Sequence, residues 1–202
     1  MKPTEWTASW PAQHAERTHP LLLFVRNFIK HPKMLGSPIP SSPALTNRLL
    51  KHVPWAQARL LVEYGPGVGS LTTEILRRMS PEATLIAIEM NGDFVEYLRS
   101  TVNDSRLHLV HGSAAEAGAL LRRLHLGEAD CVISGIPFST MPRSLREDIL
   151  RVTHAALRPE GRFLVYQYSQ RIVPSLKEIF GHVRRDLLQA KLIPMWLFQC
   201  SR

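Results

Sequence analysis

Leu60-Leu61-Val62-Glu63-Tyr64-Gly65-Pro66-Gly67-Val68-Gly69-Ser70-Leu71-Thr72-Thr73-Glu74-Ile75-Leu76 decides the fold. A short, mostly apolar run enters a loop with glycine at every second position. An amphipathic run follows, with Ser70 as its expected N-cap. Glycine lets a backbone approach a ligand closely, and a helix start offers free N–H groups and partial positive charge. Two common phosphate cradles are excluded by the spacing. Gly65-x-Gly67-x-Gly69 is not G-x-G-x-x-G, and no Gly-Lys-Ser/Thr follows it. Glu89 lies 20 residues beyond Gly69, at the end of the next apolar run. A carboxylate there can accept both hydroxyls of an unsubstituted ribose and repels a phosphorylated one.

The same alternation extends outward. Strands are expected at 60–64, 84–89, 107–111, 130–134 and 163–168, with two more at 186–191 and 195–200. Helices are expected between them at 70–76, 92–100, 115–124, 143–157 and 174–180, and one before them at 43–51. Ser42 before Pro43 is a helix start, and Arg158-Pro159-Glu160-Gly161 is a turn. Strands alternating with helices predict an α/β architecture: a Rossmann-like, mostly parallel sheet of seven strands with helices on both faces.

The chain has 202 residues, 45% apolar and 21% charged, enough for one domain with a full core. Cys131 and Cys200 make no disulfide framework, and the nine histidines show no metal-ligand spacing, so no metal is expected. No apolar run reaches the roughly 18 residues of a membrane span, and the first residues lack the apolar core of a signal peptide. The expected compartment is the cytoplasm. Positive charge is concentrated at the front: Lys2, Arg17, Arg26, Lys30, Lys33, Arg48, Lys51 and Arg59 face only Glu5 and Glu16, which is +6 of the chain's +8. A localised basic segment suits an anionic partner, either phospholipid headgroups or nucleic acid.

Within that segment, residues 21–30 are expected to form a short amphipathic helix stopped by Pro32, with Arg26 and Lys30 on one face and Phe28 among the apolar residues. It either lies in a membrane interface, with Phe24, Arg26, Phe28 and Lys30 as the anchor, or caps the core. The expected organisation is a basic amphipathic segment over 1–42, an anchor or a lid, followed by one domain over 43–202.

Glu63-Tyr64-Gly65-Pro66-Gly67-Val68-Gly69 with Glu89 resembles the first motif and the ribose-binding acid of class I S-adenosylmethionine-dependent methyltransferases. The resemblance covers about residues 55–202. It implies that Glu63, Gly65, Pro66, Gly67 and Gly69 accommodate the methionine end of the cofactor, that Glu89 binds the ribose, that Gly112, Ser113 and Ala114 flank adenine, and that Met90 and Ser134 also contact the cofactor. Ser113 stands where many members carry an acid.

Ser134-Gly135-Ile136-Pro137-Phe138 follows the fourth strand, where such enzymes shape the acceptor site. It is similar to the Asn-Leu/Pro-Pro-Tyr segment of ribosomal RNA adenine dimethyltransferases, with serine in place of the amide and Phe138 available for stacking. It is more similar to the Ser-Gly-Leu-Pro of bacterial phospholipid N-methyltransferases, as is the run from Phe24 to Ser42. That resemblance implies methylation of an aminolipid, phosphatidylethanolamine or a relative such as an ornithine lipid, at the inner membrane face. Ser134, Gly135 and Ile136 would orient the amine. Tyr64 and Tyr168 end strands one and five and either face the amine or pack in the core. Arg171 and Lys191 either grip a lipid phosphate or are surface charges. RNA adenine methylation, small-amine methylation under a lid, and a scaffold without catalysis are the alternatives.

Overall fold

The computed structural model describes residues 43–188 and 194–202; the segment 1–42, with Phe24, Arg26, Phe28 and Lys30, lies outside the described residues, as does Lys191. In chain order the elements are α1 (Pro43–Leu50), β1 (Leu60–Tyr64), α2 (Ser70–Arg78), β2 (Thr84–Glu89), α3 (Gly92–Thr101) and β3 (Leu107–His111). Then come α4 (Ala117–Arg123), β4 (Ala129–Ser134), α5 (Arg143–Ala156), β5 (Leu157–Gln167), α6 (Val173–Phe180), β6 (Val183–Leu188) and β7 (Met195–Ser201). Two short 3₁₀ turns, Ala114–Glu116 and Phe138–Thr140, precede α4 and α5.

One seven-stranded sheet has the order β3-β2-β1-β4-β5-β7-β6. Its first five strands are parallel, and β7 runs antiparallel to both β5 and β6. This is the architecture expected from the alternation. Period-2 side chains with both faces covered produce two cores. Val62, Tyr64, Ile86, Val132, Phe163 and Val165 pack under α4, α5 and α6. Leu61, Leu85, Cys131, Ile133, Leu164 and Leu197 pack under α1 and α2. Strand order reverses between β1 and β4, which remain parallel, so the crevice outside the carboxyl ends of those strands is the topological switch point where open α/β sheets bind ligands.

Polar side chains tie the opposite edge. Buried Asp130 accepts hydrogen bonds from the N–H groups of Arg59 (2.7 Å) and Leu60 (2.8 Å) and pairs with Arg158 Nε at 2.5 Å, binding the starts of β1, β4 and β5 together. Arg106 donates to Leu76 O at 2.8 Å, closing the C-terminal end of α2, and is held by Asp104 at 2.7 Å.

Several boundaries differ from the sequence expectation. β6 begins at Val183 rather than at 186, because an edge strand bonded on one side keeps polar Arg184, Arg185 and Asp186 in its ladder; residues 189–191 of the expected strand lie outside the described residues. Leu157 already pairs with Ala129, and the next pair is Arg162 with Cys131, so the predicted turn is an excursion inside β5, with Glu160 at φ 63°. Ser70 does not cap α2. Gly69 takes the N-cap position at φ 79°, with no side-chain cap among the described residues.

Candidate functional site

The glycine loop is held open by its own backbone. Gly65, Gly67 and Gly69 all have positive φ (70°, 58° and 79°), a region that disfavours side chains. Two of them are also required by their neighbours. A Cβ at Gly65 would sit 2.7 Å from Ile136 Cγ2, and one at Gly69 would run into the Leu98 side chain. Gly67 is different: nothing among the described residues lies within 4 Å of its Cβ position, which leaves it open at the crevice. Pro66 is buried, and its carbonyl accepts from Gly69 N–H at 3.0 Å.

Two carboxyl groups flank the loop. Glu63, near the end of β1, is buried, and its Oε2 accepts from Thr72 Oγ1 of α2 at 2.8 Å. Its Oε1 is buried without a partner among the described residues. Burial pushes the Glu63 carboxyl up to about 8; the Thr72 bond opposes this and the charge of Glu89 adds to it. Glu89, at the end of β2, accepts from Gly67 N–H at 3.0 Å through Oε2 and from Asn91 N–H at 2.9 Å through Oε1. Burial raises its pKa as well, against those N–H bonds. Each oxygen keeps a lone pair for a further donor. Met90 beside it is 58% exposed, an apolar surface at the sheet edge.

Gly112, Ser113 and Ala114 follow β3 directly, and Gly112 N–H bonds Glu89 O at 2.9 Å. Ser113 and Glu116 form a capping box: Ala115 N–H bonds Ser113 Oγ at 3.2 Å, and Ser113 N–H bonds Glu116 Oε2 at 3.0 Å. The fold therefore brings the loop, Glu63, Glu89, Met90 and residues 112–114 to the carboxyl edge of β1, β2 and β3. A cation with a neighbouring ribose matches this set. The unpartnered Glu63 oxygen suits an ammonium or sulfonium, and Glu89 suits paired hydroxyls.

On the β4 side the expected acceptor residues separate. Gly135 donates to Tyr64 O at 3.0 Å, and Ile136 leans on the glycine loop. Ser134 is fully buried and its Oγ has no partner among the described residues. Tyr64 and Phe138 are core residues here, not crevice residues. Tyr64 Oη lies 3.1 Å from Thr153 Oγ1 of α5, and burial lifts its pKa to about 12. Phe138 is turned back by the 3₁₀ turn to meet Phe163 edge-on, ring centroids 6.4 Å apart. Tyr168, one residue beyond β5, packs partly against the α1/α2 core. Arg171 is exposed, its N–H bonding Ser169 Oγ at 3.2 Å.

The sequence reading missed Tyr166. A Cβ at Gly135 would collide with its hydroxyl, so that hydroxyl occupies the space beside the end of β4.

A family model described as the methyltransferase small domain matches residues 44–191. The chain belongs to this family. The methyltransferase is 34% identical over 142 residues to the ornithine lipid N-methyltransferase of Singulisphaera acidiphila, covering 70% of this chain and 74% of that protein. It is 30% identical over 88 residues to the ribosomal RNA small subunit methyltransferase A of Mycoplasma capricolum, covering 44% of this chain but 32% of the relative. Its fold is that of the N-methyltransferase NodS from Bradyrhizobium japonicum, solved in complex with S-adenosyl-L-homocysteine. There the TM-score is 0.65 at 12% identity, over 80% of this chain and 89% of the other. The protein is a class I S-adenosylmethionine-dependent methyltransferase.

Proposed function

We propose that this methyltransferase transfers methyl groups to the amine of a membrane lipid headgroup, with an ornithine-lipid type amine as the leading acceptor. The 34% identity to an ornithine lipid N-methyltransferase across nearly three quarters of that relative carries the reading. The ribosomal RNA relative supports RNA less, because the match spans only a third of its length.

The chain's own residues divide the task. Glu63 Oε1 takes the cationic methionine end, Gly67 leaves room for it, and Glu89 receives the ribose hydroxyls while retaining the loop. Met90 and residues 112–114 cover the base. When bound, S-adenosylmethionine supplies a methyl group made electrophilic by the sulfonium. With Glu63 on β1 and Glu89 on β2 assigned to the cofactor, the ends of β4 and β5 remain for the acceptor. The acceptor nitrogen is then held by the end of β4, where the Gly135 carbonyl accepts no hydrogen bond among the described residues. The nitrogen must arrive neutral, with its lone pair directed at the methyl carbon, and positioning supplies most of the acceleration. Arg171, exposed in the turn after β5, would meet an anionic headgroup. The basic segment over 1–42, with Phe24, Arg26, Phe28 and Lys30, brings the enzyme to an anionic surface, and Lys191 adds to its charge.

Methyl-labelled S-adenosylmethionine, incubated with the enzyme, mixed aminolipid vesicles and total RNA, tests the reading after organic–aqueous partition. Label in the organic phase, on a primary-amine lipid, is the expected result. Label in RNA alone overturns it. The double variant Arg26→Glu/Lys30→Glu should lose binding to anionic vesicles while S-adenosylhomocysteine affinity stays unchanged; unaltered vesicle binding removes the anchor from the proposal.

A further inference from the structure

The crevice outside β4 presents a group that does not belong to β4. At the end of that strand Gly135 has no side chain, and the direction a Cβ would take is filled by the hydroxyl end of Tyr166 from β5, with ring carbon Cζ 2.8 Å from the Cβ position. Tyr166 is half-buried, its ring packed against the α1/α2 core that also carries Leu164 and Leu197. Strand pairing fixes it from both sides. The adjacent residue Val165 is in register with Ser134, and Tyr166 itself is in register with Leu197 of β7. Ser134, the residue before Gly135, alternates onto the opposite face and is fully buried.

We infer that the Tyr166 hydroxyl, seated where a side chain of residue 135 would be, is the positioning group for the acceptor nitrogen and sets how many methyl groups that nitrogen receives. The inference rests on the methyl-transfer reading of the same crevice. A phenolic oxygen accepts from an N–H and orients the remaining lone pair toward the methyl group. Nitrogen then forms a bond to the methyl carbon as the carbon–sulfur bond breaks. The bonding pair leaves on sulfur, and the methylated ammonium releases a proton to water before any further round. A primary or secondary amine can donate to Tyr166. A tertiary amine cannot, and instead invites the hydroxyl to donate to the lone pair needed for attack. Tyr166 therefore favours early methylations and retards the last. Gly135 is required so that the hydroxyl can stand there.

The experiment compares wild type, Tyr166→Phe, Gly135→Ala and the double variant on vesicles containing phosphatidylethanolamine and an ornithine lipid, with total RNA in parallel. Products are resolved by methyl number. Tyr166→Phe is expected to raise the acceptor KM about tenfold, the loss of roughly one hydrogen bond to a ligand. It should shift product toward the fully methylated amine and leave S-adenosylhomocysteine affinity within twofold. Gly135→Ala, which displaces the hydroxyl, should act in the same direction, with the double variant no worse than the worse single one. Unchanged KM and methyl distribution in Tyr166→Phe overturn the inference, as do additive losses in the double variant. If wild type labels RNA and no lipid, the lipid reading fails, and Tyr166 is judged by the same ratios on the RNA amine. If it labels no nitrogen at all, both fail.

Discussion

Replacing Glu63 by glutamine removes a proton-binding site and changes little besides, because the amide keeps the carboxyl shape and can still accept from Thr72 Oγ1. In the folded protein burial holds this carboxyl near 8, while its ordinary value is 4.5. Between those values the folded chain keeps a proton that the unfolded chain has released. Stability therefore falls as pH rises, by about 1.4 kcal/mol per pH unit for one proton, with a ceiling on the order of 5 kcal/mol over the whole window. The contribution is present in full below the unfolded pKa and is lost as pH passes the folded one. Urea unfolding of wild type and Glu63→Gln from about pH 5 to 8 isolates it, since every other titrating group cancels in the difference. The wild-type advantage should shrink steadily toward pH 8 and then level off. Parallel stability curves would refute the reasoning. The same group links to ligand binding: a cation against Oε1 favours the carboxylate, so S-adenosylhomocysteine, with its α-ammonium, should release a proton near pH 7. Calorimetry in buffers of different ionisation enthalpy reads that proton directly.

Glu89→Gln should weaken S-adenosylhomocysteine binding roughly 10- to 100-fold, the range for losing charge-assisted hydrogen bonds to a ligand; calorimetric affinity equal to wild type would place the ribose elsewhere. Asp130→Ala strands the Arg59 and Leu60 N–H groups and the Arg158 guanidinium. A loss of about 2–4 kcal/mol in denaturant unfolding is expected, with cofactor affinity per folded molecule unchanged. Arg106→Ala uncaps the end of α2 and should cost about 1 kcal/mol, measured in the same way.

The strands of the core were legible in the sequence because burial on both faces writes continuous apolar runs, and Glu63, Glu89 and the glycine loop were legible because their spacing has few uses. Edges were less so. β6 carries Arg184, Arg185 and Asp186, residues suited to an edge strand bonded on one side, and its polar pattern concealed where pairing begins. Ser113-Ala114-Ala115-Glu116 did contain the signature of the capping box that starts the turn before α4. At the acceptor side, sequence alone could not rank the aromatic residues. Tyr64 and Phe138 stand at strand ends, yet α5 and the 3₁₀ turn enclose them. Tyr166 and Tyr168 share one alternation, and only the empty side-chain position at Gly135 distinguishes them.

The hydrogen bond from Gly67 N–H to Glu89 carries a kinetic consequence. The acid proposed to receive the ribose holds the loop in shape without a ligand, and the Asn91 N–H holds the acid. Capture of the cofactor then needs no slow ordering of the loop. The observed association rate should rise linearly with ligand concentration and show no plateau, and differences in affinity among loop variants should reside in how fast the ligand leaves.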